Sequence, residues 1–331
     1  MIPGRMGYEG VALVAPFTVP YERYSIRNAQ WFAAQALRGL LKEARLDKSQ
    51  VDGISLSSFL LRPDTVVGLT QQLGMSPRWM DDVPTGGASG VMALRRAARA
   101  VQCGDADIVA CIGADTNHVE SFRQGLANFS SFARDATYPY GAGGPNSMFA
   151  LITDNYMRQF GATRADFGRI AVSQRANAAL NPNAMLRKPM SLEDYLRARP
   201  IAEPIHLLDC VMPCAGAEGF LVMREERAEA LSLPHVKLRG AIERHNAYAD
   251  DPVMIRGGWL RDRDELYAQA DISPDDVDVI HTYDDYPVIV LMQFEGLGFC
   301  DLGGGPAFVR ENTFTHDGDV PHNTSGGQLS S

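Results

Sequence analysis

Three observations on the 331-residue sequence predict an α/β fold built as two similar halves, residues 1–232 and 233–331. Amphipathic helix patterns alternate with short apolar runs of strand length. One of these runs, Ile108 to Gly113, is apolar throughout, as in a strand covered on both faces. The order strand, helix, acidic connector, strand also occurs twice, since Leu46 to Ile54 resembles Ala270 to Ile280 in approaching a strand through a Val-Asp pair.

Taken in order, Gly10 to Ala15 reads as a buried strand ending at Pro16. Asn28 to Ala44 is an amphipathic helix with Trp31, Ala34, Leu37, Leu40 and Leu41 on one face. A connector from Leu46 leads into a strand at Val51 to Ser57, and Thr65 to Leu73 is the next helix. Val83 to Leu94 is a glycine-rich turn, with Gly86, Gly87 and Gly90, that runs into a helix ending near Cys103. It is either a tight βα turn or a pocket in which free N–H groups and the helix dipole hold negative charge. The turn contains no Cys, Lys or base.

From about residue 115 to 205 the chain becomes polar, aromatic and loop-rich, an excursion of the kind that covers a site. Within it Ser147 to Phe160 and Thr163 to Leu180 are helical patterns, and Asp166 stands where the second is capped. Gly219 to Met223 returns to strand, and Glu225 to Ala230 is a helix. The second half repeats the pattern: strand at Val236 to Ile242, helix at Arg261 to Ala270, capped connector at Ile272 to Asp276, strand at Val277 to Ile280 and helix at Val288 to Leu297.

Composition narrows the function. A net charge of −9 argues against a nucleic-acid surface, so anionic ligands would have to be held locally. Five scattered cysteines without a signal peptide place the chain in a reducing cytoplasm. No apolar run reaches membrane-spanning length. Cys210 and Cys214 have C-x3-C spacing, but no second pair or His follows at zinc-finger distance, so no metal is expected.

Four stretches together resemble the thiolase superfamily, in particular its sterol-carrier-like, lipid-transfer-protein branch. They are Gly86 to Gly90 with the following helix and Gly104 to Val109; Tyr140 to Pro145; His281 to Tyr286 with Glu295 to Cys300; and Asn323 to Gly327. The resemblance implies a five-layered αβαβα fold of two halves, dimerisation through the first, and acyl-CoA substrates with no permanently bound cofactor. The departures are informative. Gly87 stands where thiolases carry the nucleophilic Cys of a Cys-Ala-Ser-Gly turn, and Tyr283 stands at the His of a His-Asp-Cys-Phe motif. Ser331 comes before the residue that would match the His of the family's Gly-His-Pro loop, so a trimmed C-terminal part is expected. Cys103 and Cys111 are expected to be packed thiols.

A thiolase-like pocket without its Cys can still hold a thioester over a turn of backbone N–H groups, with Gly86 and Gly87 as an enolate cradle. This suits retro-aldol cleavage of a β-hydroxyacyl-CoA. Relatives in the branch are aldolases that shorten steroid side chains, using tyrosines and a small zinc-ribbon and OB-fold partner in a heterotetramer. Tyr283 is then the general acid/base, and otherwise a core-edge tyrosine with a satisfied hydroxyl. Asp284 or Asp285 would orient the phenol; consecutive side chains diverge, so only one points inward. His322 and Asn323, with Gly326 and Gly327, either position the thioester or a water or cap the loop. Arg187 and Lys188 meet CoA phosphates or belong to a solvated loop. Two further functions are open: acyl transfer with a nucleophile such as Cys300, and a non-catalytic acyl-CoA- or lipid-binding scaffold.

Overall fold

The computed structural model describes residues 7–118, 135–142 and 144–331. Residues 119–134 and Gly143, part of the expected excursion and of the Tyr140–Pro145 motif, lie outside the described residues. The chain forms two units. The first comprises residues up to His118 with Cys214–Glu243 and Ala268–Asp271; the second comprises the described part of Val119–Pro213 with Arg244–Tyr267 and Ile272–Ser331. The expected division at 232/233 follows chain order, whereas these units interleave.

The first unit is α/β. Its six-stranded mixed sheet has the order β3-β2-β4-β7-β1-β8, with β1 Val11–Glu22, β2 Gly53–Ser57, β3 Trp79–Asp82, β4 Ile108–Asp115, β7 Ala215–Arg224 and β8 His235–Lys237. β2 is parallel to β3 and β4, while β7 runs antiparallel to β4 and β1. β4 explains why its sequence is apolar without alternation. Ile108, Ala110 and Ile112 join one core with Phe32 and Leu40, whereas Val109 and Cys111 join another with Met92 and Ala97. Helix α1, Ala29–Ala44, lies on the first face and α3, Ser89–Cys103, on the second. Asn28 caps α1 by accepting from Trp31 N–H at 2.9 Å. Cys111 is a packed thiol as expected, but Cys103, in the last turn of α3, is exposed.

The second unit is mainly helical. At its centre α9, Pro287–Leu297, is buried from Pro287 through Gly296, so its sequence is apolar around the whole circumference. Pro287 starts it in the position where a missing N–H costs nothing, and left-handed Gly298 ends it. It packs against α4, Gly144–Phe160, α5, Arg164–Leu180, and α10, Gly305–Glu311. Asp166 caps α5 through Thr163 N–H and Oγ, both at 2.8 Å, and also takes both arms of Arg310 at 2.7 Å.

The duplicated connector is real at the local level. Asp47 with Gln50, and Ser273 with Asp276, each form a capping box on a short 3-10 turn. The segments after the two boxes differ. Gly53–Ser57 is a strand, whereas of Val277 to Ile280 only Ile280 is buried, and it makes an isolated parallel bridge to His322. The expected strand Val236 to Ile242 is likewise reduced to His235–Lys237 at the sheet edge. Among the described residues no helix is long and apolar enough to cross a membrane.

Candidate active site

The segment from His281 to Tyr286 runs alongside the N-terminus of α9 with its side chains alternating. Thr282, Asp284 and Tyr286 are buried, while His281, Tyr283 and Asp285 face the other way and are exposed or half-buried. This alternation decides which Asp serves Tyr283. Asp284, one of the two carboxylates expected to orient the phenol, points away from it and accepts from Gln328 N–H at 3.0 Å and Leu329 N–H at 3.2 Å. Asp285 is the partner: the Tyr283 hydroxyl donates to its carboxylate. Burial, then the charge and hydrogen bond of Asp285, push the phenol well above its usual range. Burial also raises Asp285, with the Tyr283 hydrogen bond opposing. The Tyr283 backbone is clamped by Gln293 of α9, which donates to its carbonyl at 2.6 Å and accepts from its N–H at 3.1 Å.

Next to this pair, the Tyr286 hydroxyl donates to Asn146 Oδ1, and its ring stacks on Phe149 with centroids 4.2 Å apart. Cys210 Sγ lies 3.7 Å from the same Oδ1. Burial, Asp209 and Asp285 push the Cys210 thiol up to about 12. Sequence reasoning does not single out Asp285 as the partner, nor Asn146 or Gln293 at all. The period of two identifies Asp285, but Asn146 carries no local signal.

Burial, partly offset by the two backbone hydrogen bonds, holds Asp284 up at about 6 against 3.8 for a free carboxyl. The folded protein therefore binds this proton more tightly than the unfolded chain. The resulting stability is fully present below 3.8 and is lost as pH rises to about 6. We expect it to lower the unfolding free energy by about 2–3 kcal/mol over that window. Urea unfolding at pH 4, 5, 6 and 7 checks this, because Asp284→Asn should flatten the slope by that amount. Parallel curves for the two proteins would contradict it.

The other candidates in the second unit are drawn into its packing. Asn323, at φ 41°, accepts from Thr282 N–H at 2.9 Å and donates to Thr282 O at 3.2 Å. His322, expected at the chemistry, is instead fully buried, with Nε2 2.8 Å from Thr282 Oγ1 and its ring centroid 5.0 Å from that of Phe294. Burial, then the charge of His281, keep it neutral, down at about 3. Gly326, at φ 115°, has room only for a hydrogen, because a Cβ would come 2.6 Å from that of Ala178. A Cβ on Gly327 would run into Asp284 Oδ2. These two glycines therefore serve close packing. Arg187 and Lys188 are exposed on a loop.

In the first unit, Gly86–Ala88 is a 3-10 turn leading into α3, with Gly86 at φ 69°. Buried Ser89 fixes the turn by donating to Val83 O at 2.8 Å and accepting from Thr85 N–H at 3.2 Å. Gly87, Ala88 and Gly90 are exposed, and no side chain caps the start of α3. The first amide of α3, Ser89 N–H, donates to Gly86 O, so the 3-10 turn continues into the helix. The turn offers no nucleophile. Burial, then Glu295 and Asp301, raise Cys300 to about 12, and burial raises Cys111 and Cys214, so none of these thiols is activated. One group among the described residues could hold a metal, Glu225, Glu229 and His235, but Glu225 is already paired with Lys237.

Comparison with known proteins identifies the family. Residues 15–195 match the family model described as thiolase, N-terminal domain, and residues 240–331 match thiolase C-terminal domain-like. A steroid side-chain-cleaving aldolase of Thermomonospora curvata is 31% identical, with the match covering 99% of this chain and 86% of that protein. The 17-hydroxy-3-oxo-4-pregnene-20-carboxyl-CoA lyase of Mycobacterium tuberculosis is 29% identical, covering 96% and 86%. A solved structure described as an Ltp2-ChsH2(DUF35) aldolase matches with TM-score 0.85 and 30% identity, covering 97% of this chain and 85% of that one.

Proposed function

The chain belongs to the thiolase family, and from that premise we propose that it is a carbon–carbon lyase cleaving a β-hydroxyacyl-CoA by a retro-aldol step. The observation that carries this reading is the hydrogen-bonded Tyr283–Asp285 pair on the open side of its segment, in a chain whose family Cys is Gly87. Tyr283 accepts the β-hydroxyl proton of the substrate while passing its own to Asp285. The Cα–Cβ bond then breaks, the β-carbon leaves as a ketone, and the bonding electron pair becomes a thioester enolate. The pair returns the proton to Cα, giving a shorter acyl-CoA. A carboxyl raised by burial is a better proton acceptor at neutral pH than a solvated one.

The substrate we propose is a steroid or similar lipid side chain carried on coenzyme A, as the names of the two similar enzymes suggest. The Gly86–Gly87 turn, expected from the sequence as an enolate cradle, lies in the first unit and Tyr283 in the second, and Arg187 and Lys188 are cations suited to CoA phosphates. The protein acts in the cytoplasm as a homodimer joined by a small zinc-ribbon and OB-fold partner, in keeping with the two-component name of the structural match. His322, Asn323, Gly326 and Gly327 hold the Tyr283 segment in place. Acyl transfer is less well supported, because Cys210 and Cys300 are both poor thiolates at neutral pH.

The test is to incubate the chain, alone and with the partner, with a β-hydroxyacyl-CoA bearing a tertiary alcohol. A ketone and a shorter acyl-CoA are expected in equal amounts. No cleavage with the partner present would leave the scaffold reading, and iodoacetamide-sensitive transfer to free CoA would favour the cysteine reading.

A further inference from the structure

The retro-aldol step changes charge at two oxygens, the β-hydroxyl and the thioester carbonyl. The Tyr283–Asp285 pair serves the first. The second needs a hydrogen-bond donor held in place before the reaction, and most amide side chains around the pair are committed. Gln293 Nε2 donates to Tyr283 O at 2.6 Å and to Ile289 O at 3.0 Å. Asn323 Nδ2 donates to Thr282 O at 3.2 Å.

Asn146 differs. Its Oδ1 takes the Tyr286 hydroxyl proton and lies 3.7 Å from Cys210 Sγ, which fixes the carbonyl end of the amide inward. Among the described residues nothing accepts from its Nδ2, and the residue is half-exposed. The support is rigid as well, since the Tyr286 ring is stacked on Phe149, three residues along the same helix. The charge of Asp285 reaches both groups that bind this amide, the Tyr286 hydroxyl and the Cys210 thiol, so the amide lies near the proton-transfer pair. It lies in the first turn of the 17-residue α4, the positive end of the helix dipole.

We infer that Asn146 is a catalytic hydrogen-bond donor whose Nδ2 binds the thioester carbonyl oxygen as it becomes the enolate. This rests on the lyase reading above. No proton is transferred: the N–H lengthens toward an oxygen that gains the Cα–Cβ electron pair and loses it again when Cα is protonated.

Asn146→Asp is the decisive variant, because it keeps an acceptor for Tyr286 and Cys210 but removes the N–H. In the complex with the partner, on the tertiary-alcohol substrate, we expect kcat to fall on the order of 10²-fold with KM changed by no more than about threefold. Lowering the pH should recover part of the variant's rate relative to wild type, because a protonated Asp regains a donor. Tyr286→Phe, which leaves the amide N–H in place, should cost only about tenfold or less. A kcat for Asn146→Asp within about threefold of wild type overturns the inference and leaves the lyase reading intact. So does a loss matched by Tyr286→Phe with no pH recovery, which would mean that Asn146 only holds Tyr286. Absence of cleavage by wild type overturns both.

Discussion

Tyr283→Phe is expected to lower kcat by about 10³-fold, within the range for losing a positioned general acid/base, while the unfolding midpoint stays close to wild type. The hydroxyl donates only to half-buried Asp285, whereas the position of the residue is set by the Gln293 clamp on its backbone, which Phe retains. Asp285→Asn should cost a similar factor, because a neutral amide cannot take the phenol proton. The two changes act on one relay, so the double variant should be little slower than either single one. The pH profile separates this from a packing defect. Asp285 sits above the usual carboxylate range through burial, so wild-type kcat/KM should decline as pH falls through its raised pKa, and the limb should vanish in Asp285→Asn. A Tyr283→Phe enzyme within threefold of wild type would remove the relay from the mechanism.

Legibility in the sequence follows the range of the interaction. β4 is readable because its rule is local: a strand covered on both sides shows no alternation, and Ile108 to Ile112 divides between two cores as its apolar run requires. The caps at Asp166 and Ser273 are readable for the same reason. Tyr283 can be located by its place in a motif, which leaves Asp284 and Asp285 both open as its partner, and the period of two in the folded segment selects Asp285. The strand expected at Val277 to Ile280 does not form, since its apolar and polar pattern does not specify a partner and only His322 pairs with Ile280. Asn146 is invisible in the sequence because it is tied to Tyr286 across 140 residues of chain. His322 shows the opposite error: a His beside a glycine loop suggests chemistry, yet here the ring fills an aromatic core.

Gly327→Ala is expected to lower the stability of the second unit by about 3–5 kcal/mol. At φ 60° a residue with a Cβ incurs on the order of 1 kcal/mol from the left-handed conformation alone. The larger cost is steric, because the new methyl runs into Asp284 Oδ2 and comes within 3.0 Å of Asn323 Nδ2. Neither can retreat cheaply. Asp284 is 1% exposed and carries the Gln328 and Leu329 N–H groups, and Asn323 is 2% exposed and bridges Thr282 in both directions. Moving either leaves buried polar groups unpaired, at about 1–3 kcal/mol each. Gly90→Ala is the control, since its Cβ meets nothing within 4 Å inside a helix, where Ala is favoured by about 0.5–1 kcal/mol. Urea unfolding of both variants decides the point: equal midpoints would mean that Gly327 does not lock Asp284. A lower midpoint for Gly327→Ala alone should be accompanied by slower cleavage in native buffer, because Asp284 lies in the chain between the two residues of the relay and anchors them from behind.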